Sequence, residues 1–162
     1  MLKNVQMDSL NLSILDSHPK DAVKLFKMMM RFEFALKELG FTSTYRNGNV
    51  RVNWDKFANE SLTSSFYEKI ESSNLAKTLI AKPPSHQREE HGVLSFVDAP
   101  SPTDVQALLA AVCRVRNNLF HGGKSGDKDQ DRNDELINDA LHIIHEAVSS
   151  REDLKSIFEG RF

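Results

Sequence analysis

Between Pro19 and Gly40, Leu25, Met29, Phe32, Leu36 and Leu39 recur every three or four residues, the spacing of an amphipathic helix. Ala22, Phe26 and Met30 widen its apolar face, Pro19 after Ser17 and His18 reads as a first-turn residue, and Gly40 reads as the stop. Asn47-Gly48, between Tyr45 and the alternating Val50 and Val52, predicts a short β-hairpin insertion around residues 44–53. A second helix is expected from about Asp55 to Ser72, with Phe57, Leu62, Phe66 and Ile70 inward, and a shorter one from Leu75 to Ala81 that Pro83-Pro84 ends. The following connector, bounded by Pro100 and Pro102, offers only Val93 to Val97 as a short extended piece.

Thr103 or Ser101 is placed to cap the next helix, which runs from Asp104 and closes at Gly122-Gly123. After a polar loop, Ile137, Ala140, Leu141, Ile144 and Val148 mark another apolar stripe. Ser150 with Asp153 resembles a capping box and predicts a last helix, Arg151 to Phe158. The fold class is therefore all-α: four or five helices packed as a bundle in one domain.

Composition narrows the function more than the fold. A chain of 162 residues can bury roughly 70% of its unfolded surface in one core. No segment approaches the roughly 18 uninterrupted apolar residues of a membrane span, and the first residues lack the pattern of a signal peptide, so a cytoplasmic protein is expected. One cysteine, Cys113, leaves no internal disulfide and no zinc cluster, and its place in a helical pattern argues against a nucleophile. The net charge of −2 argues against coating nucleic acid through bulk positive charge, so any RNA must bind at a local basic site.

On the helix from Asp104, a projection of about 100° per residue puts Arg116 on the face of Val105, Leu108, Leu109, Val112, Val115 and Leu119. A guanidinium there calls for a carboxylate, a subunit interface or an anionic ligand, or else it extends its head to water. Asn117 and His121, four residues apart, lie on the neighbouring strip. A permanent cation, an amide and an imidazole suit phosphodiester cleavage by a 2′-hydroxyl, which needs a proton acceptor and a cation for the charge on phosphate, and neither metal nor organic cofactor. Without a family argument, an arginine and a histidine near a helix end are more often structural.

Glu33, about 80° from Leu25 in projection, is placed to pair with Arg116, or to reach solvent from the edge of its helix. Lys20, Lys24, Lys27 and Arg31 form a ridge that could guide an RNA backbone or be only the solvated face. His142, His145 and Glu146 lack a further ligand and do not make a metal site, while His86 and His91 flank a charged, solvated loop. Neither a nucleophile elbow nor a phosphate-cradling loop is present.

The run Arg116-Asn117-Asn118-Leu119-Phe120-His121, with its Phe-His-Gly-Gly-Lys continuation, resembles the active-site motif of HEPN ribonucleases. The resemblance spans about residues 17 to 158, with the motif specific and the rest architectural. It implies an up-down bundle of four to five helices that forms a homodimer with two motifs facing one cleft. Carried over, His121 is the general base or acid, Arg116 orients and stabilises the phosphate, Asn117 shapes the site, and Lys124 follows as a further RNA contact. The resemblance also implies RNA ends with a 2′,3′-cyclic phosphate and a 5′-hydroxyl, a toxin or antiviral setting, and an antitoxin or regulatory protein as partner. HEPN toxins restrained by a nucleotidyltransferase usually carry a tyrosine two residues after the histidine; here Gly123 stands there, which speaks against that partner. The alternatives are a non-catalytic HEPN-like module that binds RNA, nucleotide or protein, and a helical interaction protein whose Arg116 and His121 only close an interface.

Overall fold

The computed structural model describes residues 18–120 and 129–161, together with Ser13. Helix α1 spans Ala22–Glu38 and buries Leu25, Met29, Phe32, Ala35 and Leu36, as its periodicity predicts. It starts later than expected: Pro19 stays outside, its carbonyl accepting from the Ala22 amide in a turn through Asp21 at φ 62°, and the Asp21 side chain makes no capping bond. Ser17 lies outside the described residues. At the other end the Phe41 amide donates to Leu36 and the Gly40 amide to Lys37, with Gly40 at φ 79°. This double closure needs a left-handed residue, which is why glycine stops the helix.

Strands β1 (Thr42–Thr44) and β2 (Val50–Val52) pair antiparallel, close to the predicted hairpin. The Tyr45 amide donates to Asn49, and Gly48 sits at φ 86°, so the turn is longer than a tight two-residue one. Val52 joins the core while Val50 is exposed.

The single helix expected over 55–72 is broken. Helix α2 (Trp54–Phe57), capped by the Asn53 side chain on the Lys56 amide, passes into a π-helical turn, Ala58–Leu62, and then into α3 (Thr63–Ser73). Phe57 and Leu62 are five residues apart, too far for one face of an α-helix; a wider turn brings both inward before Phe66 and Ile70 resume the four-residue spacing. Thr63 at φ 61° marks the break, where its hydroxyl pairs with that of Ser65 at 3.0 Å.

Helix α4 (Lys77–Ala81) begins against α6 (Gln130–Ser149), where the Leu79 amide donates to the buried Asp139 carboxylate at 2.8 Å. Burial raises the Asp139 carboxyl above its ordinary value, although the Leu79 and Thr78 amides pull the other way. A raised value means that the folded state holds the proton more tightly than the unfolded chain. This group therefore favours folding below its ordinary value, and that contribution fades as pH climbs through the raised one. Asp139→Asn, which keeps an acceptor and drops the charge, is expected to be at least as stable as the native protein at pH 7. Asp139→Ala strands a buried amide and is expected to lose about 1–3 kcal/mol. Urea denaturation of the two variants checks both.

The connector holds a second hairpin that the sequence reading only half anticipated: β3 (His86–Glu90) pairs antiparallel with β4 (Val93–Val97). His91 at φ 54° and Gly92 at φ 79° turn it in two residues. Its base is tied to the helices through carbonyls. Arg114 Nη1 donates to Pro84, Asn118 Nδ2 to Ser85, and Arg132 Nη2 to Lys82 and Pro83.

Helix α5 (Val105–Phe120) is capped by Asp104, whose carboxylate accepts from the Ala107 amide, in place of the expected Thr103 or Ser101. Its predicted close at Gly122-Gly123 lies outside the described residues. Helix α6 takes its cap from Asp129. Helix α7 (Glu152–Phe158) follows without a capping box: Ser150 Oγ turns back to the Ala147 carbonyl, and Asp153 pairs with Arg151. Helix α1 packs on α5, α6 and α7, α5 also meets α3 and α6, and α4 lies on α6. Their buried apolar residues form one cluster, with Phe32 edge-on to Phe57 and Trp54. The fold is thus a helical bundle with two small hairpins, and among the described residues no helix is long and apolar enough to cross a membrane.

Candidate functional site

Helix α5 carries two working strips beside its buried face of Val105, Leu108, Leu109, Val112 and Val115. Arg116 sits at the edge of that face, where α5 meets α1, and its Nη2 donates to Glu33 Oε1 at 2.7 Å. The two side chains keep 30% and 26% of their surface, so the pair is partly desolvated but still reached by water. The predicted Arg116–Glu33 contact is therefore present. Arg116 Nε is buried and has no partner among the described residues, which leaves the guanidinium with unused donor capacity.

The second strip, Gln106, Ala110, Cys113 and Asn117, follows helical spacing one step round from the core face. It floors an open groove of about 770 Å³. Ser43 and Arg51 of the first hairpin, Lys37 of α1 and His86 of β3 also line it, and Arg116 with Asn117 lies in its wall. Gln106 is fixed by donating its side-chain amide to Asn59 Oδ1. Arg51 is oriented by Ser43 Oγ at 3.0 Å and stacks over the Tyr45 ring, 4.7 Å from its centroid. Desolvation, with the charges of Arg114 and Arg88, lowers the pKa of His86 and favours the neutral imidazole. Burial pushes the Cys113 thiol up to about 12, offset only in part by Arg116, so no thiolate is available there near neutral pH.

The chain matches no family model, no curated protein and no solved structure.

On the other side of Arg116 the surface turns apolar. Val23, Phe26, Met30 and Phe34 of α1 and Phe120 of α5 are exposed, the rings of Phe26 and Phe120 packing at a 45° tilt with 4.9 Å between centroids. A notch of about 290 Å³ among them is lined by Arg116 as well. Phe26 and Met30, read from sequence as a widened core face, thus form a second apolar strip that no element among the described residues covers.

Of the residues singled out from sequence, Arg116, Asn117 and Glu33 come together at the groove. His121 and Lys124 lie outside the described residues. Lys24 and Lys27 are exposed but line a different hollow, beside Pro19 and Phe158. Arg31 departs from the expected basic ridge: its Nε and Nη2 donate to the Phe158 and Ile157 carbonyls at 3.1 and 2.6 Å, closing the end of α7. His142 Nδ1 lies 3.3 Å from the Leu75 carbonyl, and Glu146 holds Lys69. Sequence reasoning missed Arg51, Lys37 and Arg114, read His86 as flanking a solvated loop where it is a partly buried strand residue lining the groove, and gave Asn118 no role of its own. Asn118, next to the singled-out Asn117, is the buried asparagine of the pair and anchors the second hairpin. Its position on the Val115 side of α5 was a readable signal for that role.

Proposed function

We propose that the chain is an endoribonuclease of the HEPN type, with an up-down bundle, that cuts RNA without metal at a site shared by two copies of itself. One observation carries the reading. Arg116, the head of the motif, is held half-buried by Glu33 between a polar groove and an exposed apolar strip. A guanidinium so placed can face a phosphate from the groove while the strip packs against a second copy.

In this scheme an imidazole from His121 accepts the proton of an RNA 2′-hydroxyl, and the freed oxygen attacks the adjacent phosphorus. The bond to the 5′-oxygen breaks, and that oxygen takes a proton from the imidazolium of the second copy. A 2′,3′-cyclic phosphate and a 5′-hydroxyl result. Arg116 holds the charge that builds on the phosphoryl oxygens, and Asn117 shapes the wall. Such an enzyme fits a toxin or antiviral effector in the cytoplasm, restrained by an antitoxin or regulatory protein.

The Glu33 pair also favours a second reading, a non-catalytic module in which Arg116 is already neutralised and only closes an interface. Incubating purified protein with RNA in excess EDTA separates the two. Cleavage with cyclic-phosphate ends, lost in His121→Ala at unchanged oligomeric state, is the expected result. Intact RNA across substrates of varied sequence and structure rejects the enzyme and leaves the module.

A further inference from the structure

The groove beside Arg116 is larger than one phosphate requires, and its chemistry is uneven. Four cations, Lys37, Arg51, Arg114 and Arg116, line it against two carboxylates, Glu33 and Asp55, in a chain whose net charge is −2. Its floor is short at the centre, where Ala110 is exposed at mid-strip between Gln106 and Cys113. The amides of Gln87 and Asn117 add paired donors and acceptors. Arg51 presents a planar guanidinium whose orientation Ser43 and the Tyr45 ring already fix, so little freedom is lost when it meets a ligand.

Taking the nuclease reading as its starting point, we propose that this groove seats the single-stranded RNA that flanks the cleaved phosphate, with Lys37 and Arg51 contacting its backbone and Ala110 leaving room for a base. A local positive groove is what a chain of negative net charge needs to hold a polyanion. At about 770 Å³ the space is of the size that takes small ligands, roughly 300–1,000 Å³. It admits a short stretch of unpaired chain and not a duplex. Unpaired bases can stack on guanidinium planes and offer their edges to amides, which duplex RNA hides in a groove too narrow for side chains. Arg116 lies in the wall of the same groove, so a strand lying there leads directly to the reacting phosphate.

The test measures binding apart from cleavage. Fluorescence anisotropy is recorded with a labelled single-stranded RNA whose 2′-hydroxyls are methylated, so that attack is blocked, and with the corresponding duplex. Lys37→Glu, Arg51→Glu and Ala110→Trp all fall at exposed positions, and circular dichroism checks that each variant is folded. Each is expected to weaken single-strand binding by about tenfold or more, the two charge reversals also flattening its salt dependence. The duplex is expected to bind more weakly than the single strand. Affinities unchanged in all three variants, no single-strand binding by the native protein, or equal binding of duplex would overturn the proposal. Cleavage of unmethylated RNA is followed in parallel. Groove variants that lose binding while the native protein never cuts uphold the groove and reject the nuclease. Native cleavage that all three variants retain at full affinity does the reverse.

Discussion

Replacing Arg116 by alanine is expected to lower RNA cleavage by about 10²–10³-fold, the usual loss when a fixed donor to developing charge is removed. The fold should survive, because Arg116 keeps nearly a third of its side-chain surface in water and its Glu33 partner can be solvated in turn. Arg116→Lys keeps the charge and loses the planar fork that reaches carboxylate and phosphate together, so it should recover only part of the activity. Glu33→Gln keeps an acceptor 2.7 Å from Nη2 but not the charge that holds it. A loss smaller than that of Arg116→Ala is expected there, since the guanidinium stays and only its aim loosens. Initial rates on a labelled RNA, with urea denaturation of each variant, check the series. Native-like rates in Arg116→Ala with an unaltered fold would remove this residue from the chemistry.

The helices were legible where burial is one-sided. In α1 and α6 the apolar residues recur at helical spacing and end in the core, because packing rewards a continuous stripe. The break at Ala58–Leu62 was also written in the sequence, as the five-residue step from Phe57 to Leu62, but only a reader asking how both could face inward would see it. The second hairpin left a fainter trace. His86-Gln87-Arg88-Glu89-Glu90 shows no alternation, since most of that strand is exposed, and its base is held by Arg114, Asn118 and Arg132 from distant helices. Contacts of that range leave no local pattern.

The site divides in the same way. The Arg116–Glu33 pair could be drawn from two helical projections, because each residue lies at the edge of its own apolar face. Arg31 could not be placed by that method. Its ridge position on α1 is as projected, yet α7 returns to lay two carbonyls on its guanidinium, and a projection of one helix knows nothing of another. The groove escaped for the same reason, assembled as it is from α5, both hairpins and the end of α1.

Phe26→Glu is expected to abolish self-association and, with it, most of the cleavage. Phe26 is 41% exposed and Phe120 59% in one copy, their rings packed at a tilt beside Arg116. Two aromatic rings, with Met30 and Val23 alongside, make the kind of anchor that carries most of an interface's energy. A carboxylate in its middle should cost about 3 kcal/mol, roughly a hundredfold in the dissociation constant. The isolated chain should tolerate the change, since the position already meets water. Light scattering over a dilution series, with cleavage rates at the same concentrations, gives the reading. The native protein should be dimeric with a rate per chain that falls on dilution, while Phe26→Glu stays monomeric and nearly inactive. A native monomer that cuts at full rate however dilute would break the shared site, because one copy of Arg116 and His121 would then be enough to stabilise the phosphate, take one proton and return it.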